Sequence, residues 1–145
     1  MKKIIRTVAI VLCIVTLMLT YSCVKNVDND VLAVAGYLKY FDDPEEVVFT
    51  KIDKYVFEDC ILYNVAWLDD FEGYEQTIDL ILEFSPATAQ TRLCFWEDMK
   101  YSSKADVKKL WDEREEKALS SISYNENQIL EISKKAAEYC KIAYD

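Results

Sequence analysis

The chain opens on a run with no polar face. Thr7–Thr20 carries no charge and sets Val, Ile, Leu and Met on every side of a helix. A helix packed on a domain core keeps one side polar, so this run is not expected in the core. Further on the pattern changes period. Val31, Val34, Ala35, Leu38 and Phe41 recur at intervals of three and four, which predicts a helix over Asp30–Phe41. Asp42-Asp43-Pro44 ends it, because the residue before a proline disfavours the α region.

Strand patterns follow. Val47–Glu58 is rich in Val, Phe, Ile and Tyr, and Cys60–Leu68 comes directly after it. In the second segment Ile61, Tyr63, Val65 and Trp67 share one face, and Cys60, Leu62, Asn64, Ala66 and Leu68 share the other. Apolar residues on both faces predict a sheet covered on much of both sides. Asp69–Gly73 reads as a turn. Thr77–Phe84 alternates with period two, Ser85–Thr88 is a second turn, and Gln90–Trp96 is a further strand. Short connections make these strands antiparallel neighbours in a meander of about four. Ser103–Asp106 has the spacing of a helix cap, with a helical pattern through Asp112–Lys117. Asn125–Gln128 starts a last helix, with Ile129, Ile132, Ala136, Tyr139, Cys140 and Ala143 inward. The expected class is α+β, with two C-terminal helices on a sheet face.

The first run gains meaning from its flanks. Lys2, Lys3 and Arg6 precede it, and Ser22-Cys23 follows. A cationic start, an apolar core and a small residue at the cut make a secretory signal. Leu19-Thr20-Tyr21-Ser22-Cys23 resembles the lipobox of bacterial lipoproteins, although Thr20 stands where an aliphatic residue is usual. The resemblance implies a diacylglyceryl group on Cys23 and cleavage before it. Two alternatives stay open. The segment can be retained as a membrane anchor, although Ile4–Leu19 is shorter than the roughly 20 residues of a spanning helix. It can also be cleaved without lipid attachment. All three place the rest of the chain outside the cytoplasmic membrane. Residues 1–22 are then signal or anchor, 23–29 a tether, and 30–145 one α+β domain.

Charge narrows the partners. The chain has 17 basic and 26 acidic side chains, a net charge of −9. Without Lys2, Lys3 and Arg6 the mature part has 14 against 26, or −12. No nucleic acid partner is expected, because phosphate binding needs clustered Lys and Arg. There is no histidine, which excludes a Ser-His-Asp triad and every zinc site built on imidazole. Two glycines are too few for a phosphate-cradling loop or a dinucleotide fingerprint. No cofactor is expected.

The remaining candidate chemistry is carboxylate and thiol. Asp69, Asp70, Glu72 and Glu75 crowd one turn and are weak candidates for calcium, which takes six to eight oxygen ligands. The turn lacks the spacing of an EF-hand loop, and a solvated acidic turn explains it equally. Paired carboxylates can also hydrolyse glycans, provided they flank a cleft. With Cys13 in the apolar run and Cys23 at the expected lipid site, Cys60, Cys94 and Cys140 remain. A Cys60–Cys94 disulfide is the pairing considered, with buried free thiols as the alternative.

Two stretches carry a further resemblance. Phe41-Asp42-Asp43-Pro44-Glu45-Glu46-Val47-Val48-Phe49 is similar to a Leu-Lys-Asp-Pro-Asp-Ser-x-x-Phe junction between helix and strand. Asp69-Asp70-Phe71-Glu72-Gly73-Tyr74 is similar to an Asn-Ser-Phe-Gly-Gly-Tyr hairpin. Both occur in small bacterial exported domains, and the order of elements agrees across roughly Val31–Phe84. Glu46, Asp69 and Glu72 depart from those patterns. The resemblance implies a fold and a location but no catalytic residues. The expectation is a membrane-tethered extracytoplasmic domain that binds an unknown protein or small molecule. The rivals are a carboxylate-dependent envelope hydrolase and a structural protein held by an uncleaved N-terminal helix.

Overall fold

The computed structural model describes residues 27–94 and 112–144. Helix α1, Asn29–Leu38, starts where the Asp28 carboxylate accepts a hydrogen bond from the Asp30 N–H. That is the ordinary way a helix satisfies its first free donors. A 3-10 turn, Pro44–Glu46, follows and is capped by Asp43. Then come β1 (Phe49–Val56), β2 (Ile61–Phe71), β3 (Tyr74–Ser85), β4 (Gln90–Cys94) and β5 (Ser120–Ser123), with helix α2 at Glu126–Ala143. Residues 112–115 form a further short helical stretch. The architecture is α+β. Among the described residues no helix is long and apolar enough to cross a membrane. The apolar run, Cys23 and the cap at Ser103–Asp106 lie outside the described residues.

The sheet is antiparallel throughout, in the order β4-β3-β2-β1-β5. The meander of four is present, and a fifth strand corrects it. Ser120–Ser123 returns to pair with β1, with Val56 opposite Ser120 and Asp53 opposite Ser123. Three serines have no hydrophobic alternation and low β propensity, so the pairing comes from the tertiary structure.

Alternation sets two faces. Ile61, Tyr63, Val65 and Trp67 of β2 join Ile52, Leu82 and Phe84 beneath α1 and α2 in the main core. At its far end Trp67 packs at 5.3 Å from Tyr37 and 6.3 Å from Phe49, so it is a core anchor. On the other face Tyr55, Cys60 and Leu62 form a smaller cluster with Phe57, Ile81 and Ala118. The C-terminal helical segments therefore do not share a face. α2 lies beside α1, whereas Arg114 stands over Phe57 and Cys60 on the opposite side. The cause is β5, which sends the chain along the sheet edge between the two segments.

Gly36 sets the distance between α1 and β4. A Cβ there would come within 2.7 Å of Thr91 Cβ, and the Thr91 hydroxyl donates to the Ala33 carbonyl at 2.9 Å. A larger side chain would push the helix off the strand.

Candidate functional site

The acidic turn is much tighter than expected. β2 runs through Asp69 and Asp70 to Phe71, and β3 starts at Tyr74, so only Glu72 and Gly73 turn. Both have positive φ, 53° and 82°, as in a type I′ hairpin turn. Asp69 faces Gln76, which donates to it at 3.2 Å, and Asp70 faces Glu75. Successive strand residues point to opposite faces, so Asp69 and Asp70 do not converge. Among the described residues no group of three or more Asp, Glu, Cys or His could hold a metal ion. Among the described residues, the hairpin extends past the pairing of β1, whose first partner is Trp67, and past that of β4, whose last described residue faces Ile81, as a two-stranded arm with an exposed acidic tip.

The Cys60–Cys94 bridge is not formed. Cys60 is a buried free thiol. β3 lies between the strands, and Cys94 shares a row with Ile81 and Asn64, four residues from Cys60. Two strand spacings and four residues separate their Cα atoms by roughly 16 Å, far beyond disulfide reach. Burial pushes the Cys60 thiol up, and the Arg114 guanidinium at 3.9 Å offsets that only in part. Such a thiol is a poor nucleophile. Cys140 is also buried and donates to the Ala35 carbonyl at 3.3 Å.

One polar constellation was not anticipated. Asp30, in the first turn of α1, is 5% exposed. Its Oδ1 accepts from the Tyr63 hydroxyl at 2.5 Å and from Lys54 Nζ at 2.7 Å, and its Oδ2 accepts from the Tyr124 hydroxyl. Burial raises the Asp30 pKa, but the hydrogen bonds from Lys54, Tyr124 and Tyr63 outweigh it and the net shift is downward. Burial and the Asp30 charge push both tyrosines up. The carboxylate is held ionised with both oxygens occupied, which suits a structural tie rather than proton transfer. The sequence did hold a signal. Lys54 lies between Ile52 and Val56 on the inward side of β1, where a charge needs a buried partner.

The concave surface lies elsewhere. A cleft of about 420 Å³ opens between the start of β1 and α2. Val48 and Phe49 form one wall, and Ile129, Leu130 and Ala137 the other. Glu126 and Lys134 stand among its lining residues, and Glu45 is tied to Lys141 at 2.5 Å. Ile129, Ser133 and Ala137 are four residues apart and so face the cleft together. Leu130, 69% exposed, widens that stripe beyond what core packing uses. This adjacent apolar pair, Ile129-Leu130, was the signal in the sequence. The cleft falls within the range of small-molecule sites and has an apolar floor with few polar groups.

Comparison with known proteins gives no matching family model, no similar curated protein and no similar solved structure.

Proposed function

We propose that this chain is a membrane-tethered extracytoplasmic binding domain. The cleft between β1 and α2 would be its ligand site, and Cys23 the point of lipid attachment. The observation that carries the binding role is the cleft itself, where exposed Val48 and Leu130 stand over an apolar floor. Such surface favours a small amphipathic molecule or an apolar side chain of a partner peptide. The tether rests on Lys2-Lys3, the uncharged run and Ser22-Cys23. Carboxylate hydrolysis finds less support. Asp30 is the buried carboxylate of the described residues, and its oxygens are taken by Lys54, Tyr63 and Tyr124. A hydrolase needs two carboxyl groups across a cleft; Glu45 and Glu126 do line this one, but both are exposed to solvent and Glu45 is tied to Lys141.

The test is methyl NMR of the full chain in nanodiscs, titrated with a panel of short apolar peptides. At least one peptide should shift the Ile129 methyl saturably. Ser133→Phe, at a half-buried helical position, fills the cleft and should weaken that binding by about ten-fold without lowering thermal stability. Equal binding to the filled variant, or no saturable shift across the panel, would remove the cleft as the site.

A further inference from the structure

The cleft between β1 and α2 is sorted by charge along its length. Glu126, in the first turn of α2, and Lys134, just over two turns further on, both line it. Both are exposed, and among the described residues neither has an ion-pair partner. Other charges on α2 are used. Lys135 pairs with Glu131 at 2.5 Å, and Lys141 pairs with Glu45, the third charged residue of the lining, at 2.5 Å. The cleft therefore keeps one free anion at one end and one free cation toward the other.

Helix geometry sets their spacing. Eight residues of α-helix rise about 12 Å. Positions four apart share a face, so Glu126, Leu130 and Lys134 make one row. Leu130, 69% exposed, stands between the charges, with exposed Val48 and buried Phe49 across the cleft. The row reads anion, apolar, cation. Ser133 adds a polar group to the middle. Its hydroxyl donates to the Ile129 carbonyl at 2.7 Å, which leaves its oxygen a lone pair that can accept a hydrogen bond.

We infer that the cleft takes a short extended peptide with both termini free, its ammonium at Glu126 and its carboxylate at Lys134. The inference rests on the cleft being the ligand site and names the class of ligand. Length selects it. An extended chain covers about 3.3 Å per residue, so a span of about 12 Å is three to four residues. A single amino acid carries both charges on one carbon and reaches only one end. A longer chain leaves one terminus outside the cleft. The middle side chains lie over Ile129 and against Val48, and a peptide N–H donates to the Ser133 oxygen. Opposite charges at the two ends also fix the direction, with the peptide running parallel to α2. Each terminal pair stays close to water, so each contributes only about three-fold in affinity.

The test uses the tetrapeptide Ala-Leu-Leu-Ala in four forms: both termini free, acetylated, amidated, and blocked at both ends. Each is titrated into the full chain in nanodiscs, with the Ile129 methyl as the readout. The free form should bind about ten-fold tighter than the doubly blocked one, and each single block should cost about three-fold. Glu126→Gln should abolish the cost of acetylation and leave that of amidation, and Lys134→Gln should do the reverse. A general disturbance of the helix would weaken all four forms alike and would not produce this crossed pattern. Equal affinity for the free and doubly blocked forms would overturn the zwitterionic ligand while leaving the cleft as a binding site. A preference for free termini that survives both substitutions would also overturn it. No saturable shift with any form would overturn it as well, and the cleft itself falls only if the wider panel of apolar peptides is silent too.

Discussion

Asp30 ties together parts of the chain that local pattern does not connect. It joins the start of α1 to Lys54 on β1, Tyr63 on β2 and Tyr124 ahead of α2. Removing one partner of a buried ion pair leaves the other charge uncompensated, which typically costs 3–5 kcal/mol. Lys54 retains some exposure, so Asp30→Asn should destabilise by about 3 kcal/mol in urea unfolding. Tyr63→Phe should cost about 1–2 kcal/mol, because Lys54 and Tyr124 still hold the carboxylate. The pH dependence follows from the direction of the shift. The folded pKa of Asp30 lies below its ordinary value of 3.8. Its contribution is therefore complete above that value and lost as pH falls through the folded one. The stability gap between wild type and Asp30→Asn should stay level from neutral pH down to about pH 5 and narrow below the unfolded value. A gap that held constant into strong acid would show that Asp30 is not the titrating tie. The sequence placed Asp30 only at a helix start. Its partners lie 24, 33 and 94 residues away along the chain, as the numbering of Lys54, Tyr63 and Tyr124 shows.

At the scale of elements, the sequence was most legible where the period was clean. Helix α1, strands β1 to β3 and helix α2 lie close to where their spacing put them. The β2–β3 turn was placed correctly but made too long, since acidic residues suit a turn and also an exposed two-stranded arm. β5 was not legible, because a serine-rich strand is made by its neighbour β1 rather than by its own pattern. The cleft was legible only in part. Ile129-Leu130 marked a wide apolar stripe, but the opposite wall depends on how Pro44–Glu46 returns the chain into β1. The hairpin turn allows a sharp prediction. Glu72 has φ 53°, which costs an ordinary side chain about 1 kcal/mol and costs Asn much less. Glu72→Asn creates the Asn-Gly pair that a type I′ turn prefers and should stabilise by about 0.5–1 kcal/mol in thermal unfolding. A loss of stability would mean that the Glu72 side chain makes a compensating contact.

At the scale of the molecule, the proposed tether and the fold fit together. α1 begins only six residues after Cys23. Five intervening residues span at most about 18 Å when extended, so a lipid on Cys23 would keep the domain close to the bilayer. The net charge of −12 on the part after residue 22 opposes adsorption to anionic headgroups, so the proposed attachment would rest on the N-terminus. The most direct measurement is intact-mass analysis of the protein in the membrane fraction. The account predicts a chain that has lost residues 1–22 and carries a diacylglyceryl group on Cys23. A full-length chain with an unmodified Cys23 thiol would contradict it.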